Sequence, residues 1–209
     1  MIQKSILLVG AGGHAKACID VIEQKEGFIV KGLVGLPEEV GSRVLDYPVL
    51  GSDEDVPALY GDCKNALVAV GQIKTPELRM HFFNQLQKNG FLLPVIVSPY
   101  AYVSPHASLG AGTIVMHGAV VNAGAVVGKN CIINTRVLIE HEAIVANHCH
   151  ISTGAIINGN ASIGEGSFVG SGSIIEQDIT IGSGCVVGMG LAIKHHYKDN
   201  VRILTNDKS

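Results

Sequence analysis

Hydrophobic residues in the second half of the chain recur every six positions. Cut from Ala101 in blocks of six, this half reads AYVSPH ASLGAG TIVMHG AVVNAG AVVGKN CIINTR VLIEHE AIVANH CHISTG AIINGN ASIGEG SFVGSG SIIEQD ITIGSG CVVGMG LAIKHH. The third position is aliphatic in all sixteen blocks, and the first is mostly Ala, Ser, Thr or Cys. The fourth is often Gly or Asn, which tolerate the left-handed backbone of a corner. Each block therefore predicts a short strand with its first and third residues inward, followed by a turn.

Repeats of this kind cannot bury an apolar face alone, so they predict a stacked solenoid. Three blocks complete one coil of 18 residues, and sixteen blocks make a little over five coils. The pattern resembles that of the left-handed parallel β-helix acyltransferases. Left-handedness is implied by this resemblance alone, because parallel crossovers are in general right-handed.

The second position of each block should point outward, yet ten of the sixteen hold apolar residues. We expect another surface to cover them, because a solvated monomer rarely exposes so large an apolar area. A homotrimer of prisms packed face to face, the assembly that the resemblance implies, would do so. Alternatively, β-branched residues stand there for strand propensity alone. The ten residues are Ile114, Val120, Val126, Ile132, Leu138, Ile144, Ile156, Phe168, Ile174 and Val186.

The first half of the chain alternates strand-like and helical segments. The strand-like segments are SILLVG, FIVKGLVG, NALVAVG and FLLPVIVS, and helices are predicted from about Ala15 to Gln24 and over PELRMHFFNQLQKNG. This alternation predicts an α/β N-terminal domain with a small parallel sheet of Rossmann type. We place the Rossmann-like domain at residues 1–98 and the β-helix, built from the hexapeptide repeats, at residues 99–209.

A glycine-rich turn, GAGGHA, joins the first strand to the first helix. It satisfies G-x-G-x-x-A, in which glycine lets backbone amides approach a phosphate at a helix N-terminus. A dinucleotide site also needs an acidic residue at the end of the second strand. That strand ends GLVGLP, with no carboxylate before Glu38, so NAD is disfavoured. Gly71 follows the strand NALVAVG, at the sheet edge where ligands bind in open α/β folds, or simply ends that strand.

Composition narrows the class of protein. The chain has 209 residues, 47% of them hydrophobic and 16% charged, and a net charge of -3. It lacks the basic excess of a nucleic-acid binder, and its apolar runs are too short for membrane insertion. No leader cleavage site is evident, so we expect a cytoplasmic protein. The five cysteines form no C-x-x-C pair, and reduced, buried thiols are favoured over a disulfide between the stacked Cys131 and Cys149.

One block departs from the regular pattern and brings ionisable groups to a corner. VLIEHE places Glu140, His141 and Glu142 where neighbouring blocks have Gly, Asn or small residues. Gly159 lies one coil above His141 and Ala123 one coil below, which leaves space around the imidazole. Histidine accepts a proton near neutral pH, and an adjacent carboxylate orients the ring and stabilises its cation. Acyl transfer to an amine or a hydroxyl requires such a pair.

The run INTRVLIEHEAIVANHCHISTGAIINGN resembles the active-site region of the bacterial sialic-acid O-acetyltransferase-like proteins and nucleotide-aminosugar N-acetyltransferases, which include bacillosamine and perosamine enzymes. The resemblance extends from GAGGH through the repeats. It implies an acetyl-CoA-dependent homotrimer, without a metal, that acetylates a UDP- or GDP-linked 4-amino sugar for surface glycans between its subunits. His141 would be the general base, with Glu142 behind it. The implied substrate-binding residues are Gly10, Gly12, Gly13, His14, Gly71 and Asn134. The implied cofactor-binding residues are His150, Gly159, Ser171 and Gly188.

Two departures from the family pattern leave details open. Family members often have acidic residues near Val34 and Gly35, and their absence here leaves the base, uridine or guanosine, undecided. The tail AIKHHYKDNVRILTNDKS lacks the usual Gly-x-Pro-Ala-like turn. His195 and His196 could contact coenzyme A phosphates, although a solvated tail is the simpler interpretation.

Three alternative functions remain. The first is an O-acetyltransferase of a sialic-acid-like sugar, which the sequence does not separate from an N-acetyltransferase. The second is a zinc hydratase of the gamma carbonic anhydrase type, although the ligand spacing of that family is absent. The third is a non-catalytic sugar-nucleotide sensor or partner of a sialic-acid synthase. The histidines available for zinc are His106, His117, His141, His148 and His150.

Overall fold

The structure is a computed structural model that describes residues 3–205. The N-terminal half of the chain forms an α/β domain. Its elements are β1 (Lys4–Val9), α1 (Gly13–Gln24), β2 (Phe28–Val34), β3 (Arg43–Val44), β4 (Tyr47–Gly51), α2 (Val56–Leu59), β5 (Asn65–Val68) and α3 (Glu77–Lys88). The sheet order is β3-β4-β2-β1-β5, and all neighbours are parallel except β3 and β4. This confirms the predicted α/β class of the N-terminal half.

The helix α1 covers one side of this sheet with a single apolar stripe. Ala15, Cys18, Ile19 and Ile22 are buried and follow the i, i+3, i+4, i+7 spacing of one helix face. The helix ends at Gln24, and the backbone N–H of the next residue, Lys25, bonds to the Ile22 carbonyl. No helix within residues 3–205 has the length and apolar character needed to cross a membrane.

The rest of the chain is a left-handed prism of two-residue strands. They are β6 (Ile96–Val97), β7 (Tyr102–Val103), β8 (Ser108–Leu109), β9 (Ile114–Val115), β10 (Val120–Val121), β11 (Val126–Val127), β12 (Ile132–Ile133), β13 (Leu138–Ile139), β14 (Ile144–Val145), β15 (His150–Ile151), β16 (Ile156–Ile157), β17 (Ser162–Ile163), β18 (Phe168–Val169), β19 (Ile174–Ile175), β20 (Thr180–Ile181), β21 (Val186–Val187), β22 (Ala192–Ile193) and β23 (Arg202–Ile203). Parallel pairs such as Ile132 with His150 stand 18 residues apart, which confirms the predicted coil.

The strands form three parallel sheets, one on each face of the prism. Face 1 contains β6, β9, β12, β15, β18, β21 and β23; face 2 contains β7, β10, β13, β16, β19 and β22; face 3 contains β8, β11, β14, β17 and β20. We call the edges between them the 1/2, 2/3 and 3/1 corners. The third-position aliphatics from Val115 to Ile193 are buried inside the prism, together with first-position residues such as Ala119 and Cys131. The inward pattern predicted from the repeats is confirmed.

The corners differ from the prediction in one respect. Left-handed backbone occurs at the sixth position of the blocks, as at Gly124, Asn130 and Glu142, and not at the fourth. Fourth-position glycines are needed for another reason, which is contact between coils. A Cβ on Gly164 would lie 2.4 Å from the carbonyl carbon of Gly182 in the next coil.

The N-terminal domain packs on face 1 of the prism. Ile114 and Ile132 are fully buried and share one apolar cluster with Ala15, Ile19 and Ile22 of α1. The expectation that other subunits cover these two residues was therefore wrong, because the chain covers them itself. Faces 2 and 3 still carry exposed apolar side chains: Val126 is 45% exposed, Ile144 46% and Ile174 41%.

Polar contacts also join the two halves. His117 Nε2 lies 2.8 Å from Asp20 Oδ2 on α1, and its Nδ1 lies 2.6 Å from Ser98 Oγ. The first prism strand, β6, already pairs with β9, just before the boundary we placed between residues 98 and 99, and that division stays a prediction. The outer ends of the two predicted domains, residues 1–2 and 206–209, lie outside the described residues.

Candidate active site

A cavity of about 550 Å³ opens at the carboxyl ends of β1, β2 and β5. Ligands of open α/β sheets bind at this edge. Five of the six predicted substrate-binding residues lie together in its wall, whereas Asn134 lies on the prism. The five are Gly10, Gly12, Gly13, His14 and Gly71.

The glycine turn has the local structure that an anion site needs. Gly10 has a φ of 121°, and a Cβ there would lie 2.8 Å from Val70 Cγ2, so only glycine fits. A Cβ on Gly12 or Gly13 would meet no atom within 4 Å, because these residues face the open cavity. Among the described residues no side chain caps the N-terminus of α1, and the first turn of this helix holds no acidic residue. Backbone amides at this helix end are therefore available to an anion.

Two carboxylates in the cavity wall were not among the predicted site residues. Glu39 and Asp53 both line the cavity. A short 3-10 helix, Pro37–Glu39, turns Glu39 back to the end of β2, where its Oε2 accepts a hydrogen bond from the Leu36 amide at 2.8 Å. The expectation that no carboxylate stands at this strand end was wrong, because it counted residues along an extended chain. The signal was the Pro and Glu spaced for a short helix.

His150 lies buried between the cavity domain and face 1. Its Nδ1 lies 2.6 Å from the backbone oxygen of Gln72, which makes Nδ1 the protonated nitrogen. Nε2 then accepts a hydrogen bond from Asn134 Nδ2 at 3.1 Å. Burial lowers the pKa of His150 to about 4 and that of His14 to about 3. Both rings are thus neutral near pH 7, and His150 is a poor proton acceptor there.

His141 stands at the 2/3 corner in a contrasting environment. Its side chain is 60% exposed, and Nδ1 lies 3.7 Å from Glu142 Oε2. A Cβ on Gly159 would lie 2.7 Å from His141 Cε1, so the ring stacks over the glycine of the next coil. Glu140 Oε2 accepts hydrogen bonds from the His141 amide at 3.2 Å and from Asn122 Nδ2 at 2.9 Å, which holds this corner in place.

A single chain does not bring all the predicted site residues together. His141, Glu142 and Gly159 follow strands of face 2 and lie at the 2/3 corner, opposite the face that carries the cavity domain. Ser171 and Gly188 follow strands of face 1 and lie at the 1/2 corner, as Asn134 does. Ser171 Oγ lies 2.9 Å from Ser152 Oγ. The predicted catalytic and substrate-binding residues are therefore on opposite sides of one prism.

The histidines considered for zinc do not form a metal site within one chain. His117 is engaged by Asp20 and Ser98, and His148 Nδ1 lies 2.9 Å from Asn130 Nδ2. His150 has partners at both ring nitrogens. In the described part of the chain, no group of three His, Cys, Asp or Glu residues could hold a metal ion. The zinc hydratase alternative gains no support from this arrangement.

Two family models match the chain. The PglD N-terminal domain matches residues 5–86, and the bacterial transferase hexapeptide (six repeats) matches residues 160–195. Among solved structures, the acetyltransferase domain of PglB from Neisseria gonorrhoeae FA1090 is 32% identical with a TM-score of 0.88, and the match covers 96% of this chain and 96% of that chain. The chain belongs to the nucleotide-aminosugar N-acetyltransferase family.

A second solved structure agrees with this assignment, and a more distant one shares the fold. PerB from Caulobacter crescentus, solved in complex with CoA and GDP-perosamine, is 31% identical with a TM-score of 0.89, and the match covers 97% of this chain and 94% of that chain. WeeI from Acinetobacter baumannii, 22% identical with a TM-score of 0.84 and with 97% of each chain covered, shares the fold. No curated protein matches the chain. The resemblance inferred from the sequence is confirmed at the level of this family.

Proposed function

We propose that this protein transfers an acetyl group from acetyl-CoA to the amine of a sugar linked to a nucleoside diphosphate. The observation that carries the proposal is the presence in one chain of a glycine turn that lines a cavity at a helix N-terminus and an exposed His141–Glu142 pair on the prism. Two members of the family support the chemistry. PerB was solved with CoA and GDP-perosamine, and the PglB domain with acetyl coenzyme A.

His141 is the general base of this reaction. The sugar amine attacks the thioester carbonyl carbon, and His141 accepts the proton that the nitrogen loses as the new C–N bond forms. Glu142, near Nδ1, orients the ring and stabilises its cation. A backbone amide near Gly159 stabilises the oxyanion, and the C–S bond breaks to release CoA as a thiolate, which takes up the proton held by His141 and regenerates the base. These steps need no metal.

The cavity of the N-terminal domain holds the nucleotide part of the substrate. Amides of the glycine turn bind the diphosphate at the N-terminus of α1. Leu36, Leu78 and Phe82 give the cavity apolar walls against which a base can pack. Glu39 and Asp53 accept hydrogen bonds from hydroxyl or ring N–H groups. The residues proposed to bind substrate are Gly10, Gly12, Gly13, His14 and Gly71, with Asn134 on the prism.

The active site forms between subunits of a homotrimer. His141 faces away from the cavity domain of its own chain, so the reaction needs the 2/3 corner of one chain and the cavity of another. The exposed apolar residues on faces 2 and 3 supply surface for that assembly. The cofactor-binding set, His150, Ser171 and Gly188 near the 1/2 corner and Gly159 at the 2/3 corner, then belongs to two adjacent chains. Acetyl-CoA and nucleotide sugars are both cytoplasmic metabolites, which supports a cytoplasmic enzyme of surface glycan synthesis.

An acetyl-transfer assay tests the proposal directly. The purified protein is incubated with acetyl-CoA and a panel of UDP- and GDP-linked 4-amino sugars, and CoA release and product mass are followed. We expect transfer to the amine of at least one member. Transfer only to the hydroxyl of a sialic-acid-like sugar would make the protein an O-acetyltransferase instead. Absence of turnover with every acceptor, by protein that binds acetyl-CoA, would contradict the enzymatic function.

A further inference from the structure

The cavity wall carries negative charge. Among residues 3–205, the charged side chains in its wall are those of Glu39 and Asp53, and no lysine or arginine lines it. A nucleoside diphosphate brings at least two negative charges, which these carboxylates repel. The N-terminus of α1 offers only about half a positive charge. The cavity therefore needs a further positive charge from somewhere behind its wall.

A buried arginine lies in the required place. Arg79 on α3 is 1% exposed, and its hydrogen bonds go to uncharged acceptors. Nη1 donates to the Val70 oxygen at 2.6 Å and the Val68 oxygen at 3.3 Å, while Nη2 donates to the backbone and side-chain oxygens of Asn130 at 2.8 and 2.9 Å. Within residues 3–205 its Nε has no partner, and no carboxylate pairs with it.

Burying an arginine in this way costs free energy, and that cost needs an explanation. Removing a charge from water without an ionic partner is strongly unfavourable. Burial lowers the pKa of Arg79 to about 10, so the guanidinium still carries its charge at neutral pH. A neutral side chain of similar length would avoid this cost if the residue only joined α3 to the prism.

One peptide unit separates the guanidinium from the cavity. Val70 and Gly71 both line the cavity, and the Val70 carbonyl accepts the hydrogen bond from Arg79. Because the peptide is planar and trans, the N–H of Gly71 points the opposite way from that carbonyl. The peptide dipole is therefore aligned with its negative end on Arg79 and its positive end on the far side, at Gly71.

We propose that Arg79 is the buried counter-charge for the diphosphate group of the substrate, acting through the wall formed by Val70 and Gly71. Its missing ionic partner arrives with the ligand. The inference rests on the proposed function, because it requires that the cavity hold a nucleoside diphosphate. Arg79 does not touch the ligand and is a positioning residue in this role.

A series of ligands with increasing charge separates this role from a purely structural one. Affinities are measured for guanosine, GMP and GDP, and for uridine, UMP and UDP, with the unmodified protein and with Arg79→Lys and Arg79→Gln. Lys preserves the charge without the planar fork, and Gln preserves donors without the charge. Lys88→Gln removes an exposed cation from the same helix and serves as the matched control.

The proposal predicts a defined pattern. In the unmodified protein the nucleoside diphosphate should bind more tightly than the nucleoside, and this difference is the gain in affinity. Arg79→Gln should reduce that gain by about 10- to 100-fold and leave nucleoside affinity unchanged. Arg79→Lys should keep most of that gain, and Lys88→Gln should keep all of it. Full retention of the gain in Arg79→Gln, or equal loss for nucleoside and diphosphate in both Arg79 variants, would overturn the proposal and make Arg79 a structural clamp.

A second measurement uses the unmodified protein, in case the variants fold poorly. The Arg79 Nε–H resonance, in protein labelled at arginine, should shift on addition of the diphosphate and stay near its free position with the nucleoside. Equal shifts with both ligands would contradict the proposal. If the unmodified protein binds neither ligand series, the assignment of the cavity in the proposed function fails, and the counter-charge role fails with it.

Discussion

The two histidines that were predicted to lie near the reacting groups differ in their exposure to solvent. His141 is 60% exposed with a carboxylate beside it, whereas His150 is buried with both ring nitrogens engaged. We expect His141→Ala to lower kcat by roughly 10² to 10⁴, with little change in either substrate affinity, because a general base acts in the transition state. Steady-state kinetics and binding measurements check this. His106→Ala, an exposed histidine at the same corner, is the matched control.

Glu142 should matter less than His141. Its carboxylate is 72% exposed and 3.7 Å from the ring, so water screens the interaction. Glu142→Ala removes orientation and leaves the base, and we expect a smaller fall in kcat than for His141→Ala. Near-full activity of His141→Ala with both substrates bound would place the base elsewhere. The same kinetic assay gives the order of the two variants.

Buried histidines also make folding stability depend on pH. Burial lowers the pKa of His14 to about 3 and of His150 to about 4, whereas the unfolded chain titrates near 6.5. Below pH 6.5 these histidines bind protons in the unfolded chain but stay neutral in the folded chain. Folding stability therefore falls as pH falls. Each histidine should cost about 2 kcal/mol between pH 6.5 and pH 5. Thermal unfolding across this range should show the loss, with a shallower slope in His150→Asn. If stability depended on pH equally in the unmodified protein and in His150→Asn, the lowered pKa of His150 would be refuted.

At the scale of elements, the turn between β1 and α1 has glycines with different tasks. A Cβ on Gly12 meets open cavity, whereas a Cβ on Gly10 would lie 2.9 Å from the Val70 nitrogen. We expect Gly12→Val to leave thermal stability nearly unchanged and to weaken diphosphate binding, because the side chain occupies the anion's place. Gly10→Ala should instead lower the unfolding temperature, because its φ of 121° is strained for alanine. Calorimetry of unfolding and of GDP or UDP binding separates the two effects. If Gly12→Val bound GDP and UDP with unchanged affinity, the substrate would not bind at this turn.

Elements defined by repetition were predictable, and those defined by tertiary contact were not. Inward residues such as Val121 and Ile139 recur in every block, so their burial was evident from the sequence. Glu39 depends on a short helix that brings it back to β2, and counting positions along an extended chain does not place it there. Arg79 lies in a polar helix and would be taken for a solvent-facing cation. Only the packing of α3 against β5 and Asn130 buries it.

At the scale of the whole molecule, the N-terminal domain covers face 1, whereas faces 2 and 3 carry exposed apolar side chains. We expect Ile144→Glu to weaken trimer formation, because association would bury an unpaired charge. Ile29→Glu makes the same change at a similarly exposed site, 47% against 46%, on the N-terminal domain and should leave the mass unchanged. Ile132→Glu should instead loosen the packing of the two domains, since Ile132 faces α1's cluster. Light scattering gives the mass of each. A monomeric unmodified protein would contradict the shared site.

His141 and the cavity lie on opposite sides of one chain. If the active site forms between chains, mixing two impaired variants should restore activity, which a site within a single chain could not do. His141→Ala lacks the base but keeps the cavity, and Gly12→Val has weakened diphosphate binding but keeps the base. In trimers reassembled from an equal mixture, about a quarter of the interfaces pair an intact corner with an intact cavity. At a nucleotide-sugar concentration too low to saturate Gly12→Val, activity should then return to about a quarter of the unmodified value, while each variant alone keeps only a small fraction of it. If mixing restores nothing although mass spectrometry shows mixed trimers, one chain must contribute both halves of the site. The opposite placement of His141 and the cavity would then have to change during catalysis by movement of the N-terminal domain off face 1, which the burial of Ile114 and Ile132 opposes.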